Sequence, residues 1–534
     1  MQDAPQWMES TPLGARRLIL LITVALAVTL IVMDGSIVNV ALPTLVDELG
    51  GTTNSELQWI VDSYILVFST LLLAAGTAAD RWGRRRLLVM GGLIFAVTSV
   101  GAARSTTAGE LVAWRAAMGV GAAMIFPSTL AILTHAFPEP RWRRMAIGVW
   151  AACSGLGVAA GPIAGGWILV HGHWGWIFLV NVPIVVLVWL GAMTSIKESR
   201  DPHRGAIDLV GNSLAVIGLL AFVWSLIEGP VRGWTSIDVL VPLVFSGVIG
   251  SVFIVHQQRA AQPMLDLALV RSRACATGLL AIGAAFFGLF GFVFMVTQFL
   301  QFVRGHDPLE AGIRTLPFAG AILVGAVACA VIGSRVRRQY PCAVGLALMA
   351  AGFAWSSQDA ITTTYFTLAG QMAVLGVGLG LVSASATEVI IGAVRSERFG
   401  LASSLNDTAR ELGGAIGVAA MGSVFNAVYR QRVLDAVSGS PLPPDAQVAL
   451  ADSLGVAVRV IARIEDMAGS EAATLVRRPV LEAFMAGFHD SALVAAGLAA
   501  AGAFATLVLM RESAQAPVAS HDEPSTEHNH ASRP

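Results

Sequence analysis

Fourteen apolar runs, each long enough to cross a bilayer, dominate this chain and leave it few folds to choose from. A helical span needs about 20 predominantly apolar residues. Runs of that kind lie at approximately 18–42, 57–79, 86–103, 108–134, 144–170, 175–196, 207–228, 237–257, 275–302, 310–334, 341–357, 363–393, 400–428 and 488–510. Hydrocarbon offers no partner to a backbone N–H or C=O, so such runs must satisfy their own hydrogen bonds as helices. The expected fold is therefore an all-α integral membrane bundle. Composition agrees: 55% of the 534 residues are hydrophobic and 13% are charged, about half the charged fraction of a soluble domain. The first run is longer than a signal-peptide core of about 7 to 15 residues and has no cleavage site followed by a soluble domain, so it is expected to be retained.

Positive charge orients the bundle. With the N-terminus inside, the inner segments carry 21 Lys and Arg. The short outer loops carry three, Arg104, Arg232 and Arg304, or four if Arg314 at the outer end of the tenth run is included. Basic residues concentrate on the cytoplasmic side of short loops, so both termini are expected to be cytoplasmic. Residues 1–17 read as a cytoplasmic tail, 18–196 as a six-helix bundle, 197–274 as an inserted helix pair with its linkers, and 275–510 as a second six-helix bundle. Within the second bundle, 429–487 reads as an external helical hairpin, its arms at 445–463 and 471–485 breaking near Gly469. The polar tail, 511–534, is expected to be disordered. The stretches ADRWGRRR at 79–86 and IGSRVRR at 332–338 occupy corresponding places in the two bundles. Such weak internal symmetry is a transporter plan with the site at the bundle interface. Cys153, Cys275, Cys329 and Cys342 stand in apolar segments without metal-ligand spacing and read as packing residues.

Charges inside the apolar runs are the candidate functional groups, because a lone charge at mid-bilayer costs about 2.5 to 3.5 kcal/mol on insertion scales and has to pair or face an aqueous cavity. The stretch DTARELGG places Asp407, Arg410 and Glu411 within the thirteenth run. Asp407 and Glu411 are four apart and share a helix face, roughly 12 and 18 Å deep at 1.5 Å per residue. One arginine neutralises one carboxylate, so Asp407 is expected to pair with Arg410 while Glu411 holds a proton or a cation in alternation. Asp34 lies about 24 Å along the first helix. As an isolated carboxylate it is either a proton carrier or a hydrogen-bonding partner of a neighbouring helix. Asp62, about 8 Å inside the second helix and near Trp59 and Tyr64, suits an acidic, aromatic vestibule for a lipophilic cation or an interfacial anchor. Arg115 in the fourth run has carboxylates on facing helices as natural partners. Gly157, Gly161, Pro162, Gly165 and Gly166 permit close helix contact and bending, or simply tight packing. Asp80 closes the second helix where a carboxylate can meet the positive N-terminal end of another helix.

At these residues the chain resembles a known family. GTAADRWGRRR, with Gly76, Asp80, Arg81, Gly83, Arg84 and Arg85, resembles the loop signature of the major facilitator superfamily. GLGVAAGPIAGG at 155–166 is similar to the fifth-helix signature of its antiporters, and WRAAMGVGAA at 114–123 to the fourth-helix arginine motif. MDGSIVNVALP at 33–43 resembles the first-helix signature of the 14-helix drug:proton antiporter branch. Further marks, from GHWGWIFLVNVP to ELGGAIGVAAMGSV, extend the resemblance over nearly all of residues 17–510. Asp62 and the external hairpin look like the quaternary-ammonium and dye exporters of that branch. Met118 replaces the usual glutamine, and Arg410 stands where those cation exporters tend to have tyrosine.

The resemblance implies two six-helix bundles plus an inserted pair, alternating access, and efflux of hydrophobic, chiefly cationic drugs, dyes or antibiotics in exchange for protons. It further implies that Asp80 latches onto the start of the thirteenth helix near Arg398 in the outward-facing state. The expected partners are small hydrophobic or cationic substrates, protons and the lipid bilayer of a bacterial plasma membrane, with no nucleic acid and a monomeric chain. No ATP-binding motif or other cofactor signature is present, so the proton gradient is the expected energy source and enzymatic activity is not expected. An exporter of an endogenous amphiphile or self-made antibiotic, with Arg410 meeting an anionic group, is an alternative on the same fold. A membrane sensor is a more remote one.

Overall fold

In a computed structural model of the chain, residues 14–49, 54–200, 208–260, 263, 265, 267–332, 336–394, 399–438, 440, 442–452 and 454–510 are described. The expected N-terminal and C-terminal tails fall largely outside them, as does Arg398.

The first apolar runs become α1 (Ala15–Glu48), α2 (Asn54–Trp82), α3 (Arg84–Ala103), α4 (Ala108–Ala136) and α5 (Pro140–His171). The sixth run is split into a single turn, α6 (Trp176–Leu179), and α7 (Asn181–Ser195). The inserted pair is α8 (Leu209–Arg232) and α9 (Ile237–Arg259), followed by a short α10 (Leu267–Arg271). The second half comprises α11 (Arg273–Gln298), which continues as a π turn over Phe299–Val303, then α12 (Pro308–Arg314), α13 (Leu316–Ile332), α14 (Gln339–Ser356), α15 (Tyr365–Gly392) and α16 (Phe399–Val437). After α17 (Pro444–Asp452) and α18 (Leu454–Ala468), the chain ends in α19 (Ser470–Leu509). No strand occurs among the described residues.

Several of these helices begin where a short polar side chain can accept an orphan N–H. Thr107 accepts from Glu110 N–H at 3.2 Å, and the Glu110 carboxylate accepts in return from Thr106 N–H at 2.9 Å. Asp208 caps α8 through Gly211 N–H at 2.7 Å, and Asp307 caps α12 through Glu310 N–H at 2.8 Å. Around Asp208 burial alone would raise the carboxyl, but the Gly211 N–H, His256 and Gln257 bonds outweigh it and hold the group below its ordinary range.

Thirteen helices among the described residues are long and apolar enough to cross a membrane. Fourteen were expected. The eleventh run does fold as α14, but it opens on Gln339, Tyr340 and Pro341, which shortens its apolar stretch below that of the others. The hairpin also differs from expectation. Its first arm is present as α17 and α18, with Tyr429 donating to the Leu450 carbonyl at 2.9 Å. Its second arm is not separate: Pro479 sits within α19 without ending it, and the 40-residue helix runs from the hairpin into the bundle.

Two apolar cores organise the fold. One is drawn almost wholly from residues 20–196 and the other from residues 281–510. They are joined where α5 packs on α13 and α15, and where α16 packs on α2 and α4. The inserted α8 packs on α9 and against both α2 and α16, closing the groove between the halves. α9 lies at the periphery, with only 11% of its apolar window buried, whereas α4 and α15, at 78% and 89%, line the centre. The basic loops share one face, held by Arg16 to the Ser195 carbonyl (3.0 Å), Arg17 to Glu139 (3.4 Å) and Arg86 to Glu198 (3.8 Å).

α5 carries its glycines one turn apart against α1. A Cβ on Gly161 would lie 2.0 Å from Ser36 Oγ and 2.8 Å from Ile37 N, so only glycine lets these helices meet here. Gly161→Leu is expected to lower the detergent melting temperature clearly and reduce membrane yield, whereas Gly497→Leu on the exposed side of α19, where a Cβ meets nothing, should leave both unchanged. Melting of the purified variants checks this; equal behaviour would show that the α1–α5 contact is dispensable.

Candidate functional site

Asp34 is not isolated. Its Oδ2 lies 2.6 Å from Arg115 Nη1, with both side chains fully buried. Asn181 Nδ2 donates to Asp34 Oδ1 at 2.7 Å and lies 3.3 Å from Ser99 Oγ. Arg115 Nε donates to the Ile60 carbonyl at 3.1 Å, and its guanidinium sits 4.3 Å from the Tyr64 ring centroid. One network therefore joins α1, α2, α3, α4 and α7. The expected partnership of Arg115 with a facing carboxylate is present, while the expectation of a lone Asp34 is corrected. Arg115 Nη2 and Asn181 Oδ1 have no protein partner, so the network is satisfied in its centre and open at two atoms.

A cavity of about 430 Å³ lies between the halves. α1, α2, α4, α5, α8, α11 and α16 all contribute to its wall. Two carboxylates border it, Asp62 from α2 and Glu411 from α16, together with the amide of Asn426. Tyr64, Phe68, Phe126, Phe290 and Phe294 supply ring surface. Asp62 is thus part of the central wall, and Trp59 beside it meets Trp224 of α8 at 4.8 Å between centroids. A cavity with acidic oxygens on aromatic walls can hold an apolar cation, the rings attracting the charge and a carboxylate neutralising it.

The DTARELGG stretch is arranged differently from the expectation. Asp407 is fully buried and does not border the cavity; it accepts from Asn406 Nδ2 at 3.0 Å and lies 3.4 Å from Ser403 Oγ. Arg410 forms no ion pair with Asp407 or Glu411. Its Nη2 donates to Ser154 Oγ of α5 at 2.8 Å, and its guanidinium lies 4.3, 4.7 and 5.6 Å from the ring centroids of Phe286, Trp150 and Phe126. The expected Asp407–Arg410 pair is therefore corrected. Three aromatic rings converging from α4, α5 and α11 draw the cation across the bundle, away from its own helix. Glu411 is left facing the cavity, as its expected role requires.

The loop signature forms the closure of the basic face. Asp80 Oδ1 accepts from Gly400 N–H at 2.8 Å and Oδ2 from Leu401 N–H at 2.9 Å, at the start of α16. Arg84, one turn along, binds the same carboxylate at 2.8 Å. Two free N–H groups of a helix start plus the positive end of its dipole make this a favourable anion seat. Gly76 permits the approach, since a Cβ there would lie 2.4 Å from Ser404 Cβ. Gly83 adopts φ 111°, and Glu198 caps the following turn through Arg85 and Arg86 N–H at 3.1 and 3.2 Å. Arg85 Nη1 donates to the Ile196 carbonyl at 3.2 Å. Arg81 ends α2. In α5, Gly157, Gly161 and Gly165 face α1, whereas Gly166 and Pro162 meet Leu309 and Gly312 of α12, so this helix touches both halves.

A second link across the same face was not anticipated. Glu388 of α15, almost fully buried, lies 3.0 Å from Arg338 and 3.7 Å from Arg144 of α5. Its signal was an acid within an apolar run, the same that marks Glu411. Asn181 stood in the quoted stretch GHWGWIFLVNVP as a lone amide in an apolar run. Ser154 and the ring box around Arg410 had no local signal, being assembled from three helices. A separate cavity of about 470 Å³ opens near the hairpin, lined by Asp359, Arg432, Glu482, His489 and Asp490. Burial pushes the Asp359 carboxyl above its ordinary range, although Gln371 donates to it.

Known proteins resemble this chain over most of its length. A family model described as Major Facilitator Superfamily matches residues 24–418. The multidrug efflux pump LfrA of Mycolicibacterium smegmatis is 35% identical over 94% of this chain and 98% of its own length. The methyl viologen resistance protein SmvA of Salmonella typhimurium is 34% identical over 77% of this chain and 83% of its own length. Among solved structures, a bacterial homolog of the human lysosomal transporter Spinster, in an inward-facing and occupied conformation, has the same fold with a TM-score of 0.58 at 15% identity, covering 94% of this chain and 98% of that one.

Removing one member of a buried ion pair costs about 3–5 kcal/mol because the other charge is left unanswered, while replacing both by apolar groups can be neutral. Asp34→Asn should therefore lower the melting temperature of the purified protein, and the added substitution Arg115→Met should restore most of it. Thermal unfolding of the single and double variants checks this. A single variant that melts like the parent would show the pair to be dispensable for stability.

Proposed function

Given that this chain belongs to the Major Facilitator Superfamily, we propose that it is a secondary transporter, not an enzyme, that exports hydrophobic, chiefly cationic drugs or dyes across a bacterial plasma membrane in exchange for protons. The observation that carries this reading is the central cavity, where Glu411 and Asp62 stand on aromatic walls contributed by both halves. The printed names of the relatives, a multidrug efflux pump and a methyl viologen resistance protein, support the same substrate class. The excess of Lys and Arg in one set of loops supports a cytoplasmic position for both termini. Energy comes from the proton gradient, without ATP or another cofactor, and the chain works as a monomer without nucleic acid.

In this mechanism Glu411 carries either a proton or the cationic cargo. Its carboxylate borders the cavity directly, so a bound cation and a bound proton compete for one group, which is the minimum requirement for exchange. Asp34 and Arg115 hold α1, α2, α4 and α7 in register beside it; changing that ion pair alters the field and packing around the wall. Asp80 and Glu388 close the basic face in one global state. Opening that face requires both links to release, so each biases the equilibrium between states without touching cargo.

Everted membrane vesicles containing the protein test the exchange: addition of ethidium should release protons in the parent, and Glu411→Gln should cut that release at least about tenfold while the protein remains folded. Proton release surviving at parental rate would remove Glu411 as the exchanging acid. Asp62→Asn should weaken export of methyl viologen, with two separated charges, more than that of monovalent ethidium. Equal losses for both would take Asp62 out of the binding wall.

A further inference from the structure

Arg410 is 4% exposed, yet its Nε and Nη1 have no hydrogen-bond partner. Buried charged donors in folded proteins are normally satisfied, and leaving them unmade is costly. The surrounding rings do not supply what is missing. Phe286, Trp150 and Phe126 stabilise the positive charge, but the N–H groups at the guanidinium edge still require an oxygen acceptor. Only the third donor group has one, Ser154 Oγ.

The guanidinium borders a small hollow of about 40 Å³, which also touches Ser154, Ser383 and Glu411. That is room for one small polar group, since a water molecule occupies about 30 Å³ of liquid. The hollow is continuous in its lining with the large cavity: Val32, Phe126, Val158, Leu289, Phe290 and Glu411 border both. A ligand seated on the aromatic walls could therefore extend one compact head into the hollow. A cationic head would meet the guanidinium and be repelled. A carboxylate would accept from Nη1–H in a charge-assisted contact and could take the hydroxyl of Ser383 or Ser154 beside it, while a positive centre a few bonds away stayed beside Glu411.

Resting on the export reading above, we propose that Arg410 and Ser154 form an anion-accepting subsite, and that the cargo of this chain includes zwitterionic amphiphiles carrying a carboxylate next to a delocalised cation. Glu411 borders both the hollow and the large cavity, so a zwitterion with its carboxylate on Arg410 and its cationic centre toward the large cavity answers both charges.

The test uses the full-length protein in lipid nanodiscs and a matched dye pair: a rhodamine with a free carboxylate and its methyl ester, which share the same cationic ring system. Binding is followed by fluorescence anisotropy, and folding of each variant by thermal melting. The parent should bind both dyes. Arg410→Gln should weaken the free-acid dye at least about tenfold, the loss expected for a charge-assisted contact, and change the ester less than twofold. Arg410→Lys, which keeps the charge but has no donor at the place of Nη1, should give an intermediate loss for the free acid only. Should Arg410→Gln not fold, the lysine variant carries the comparison. Parental binding of the ester with rejection of the free acid, or equal losses of both dyes on substitution, would overturn the subsite and leave the export reading standing. Inhibition by chloride relative to gluconate that depends on Arg410, with the free-acid dye still rejected, would give the position to a free halide and likewise overturn it. Failure of the parent to bind or export either dye or tetraphenylphosphonium would bring down the export reading itself, and the subsite with it.

Discussion

A charge enclosed by apolar helices must be answered within the protein, and the way each one is answered here sets the arrangement of the bundle. Asp34 and Arg115 answer each other at 2.6 Å, and the surrounding Asn181, Ser99 and Ile60 groups spread the pairing over five helices. Because the pair is fully buried, its members are costly to separate, and the helices that carry them are fixed relative to one another. The first half thus behaves as a unit with one buried polar network inside its apolar core. Glu411 is answered differently, by facing a cavity. One acid is thus answered by a cation at 2.6 Å and the other borders a cavity, and the proposed exchange rests on the second.

The second half is tied to the first by contacts of another kind. Asp80 binds backbone N–H groups at the start of α16, and Glu388 binds arginines from both α5 and the start of α14. Both links lie on the basic face and both depend on charge meeting charge or dipole, so they can be broken without creating a cavity in an apolar core. Gly76, Gly157 and Gly161 complete this design by allowing backbones to approach where the halves and their inner helices meet. Hydrophobic packing holds each half together, and the halves meet through helix packing of α5 and α16 supplemented by these polar contacts.

The inserted pair has a position that its sequence did not announce. α8 packs against α2 and α16, contributes Val223, Leu226 and Ile227 to the cavity wall, and places Trp224 on Trp59. Trp234, just beyond it, donates to Ser423 of α16 at 2.9 Å. α8 is therefore part of the wall, while α9 packs on its outer side.

Helix positions were legible in the sequence because hydrocarbon leaves an apolar chain little alternative to a helix, and because Thr107, Asp208 and Asp307 mark starts by chemistry that acts within one turn. The acids and arginines of the site were legible for the same reason: a charge in an apolar run stands out whatever surrounds it. So was the seat of Asp80, at a helix end with its motif. Their partners were not legible. α4 is apolar nearly all round, so its own pattern does not say which side meets α1, and the pairing of Arg115 with Asp34 depends on that rotation. Nor does spacing along α16 decide whether Arg410 turns to Asp407, three residues away, or to rings on three other helices. Only the packing of the helices decided that, because a side chain as long as arginine reaches several neighbours and takes the set that best answers its charge.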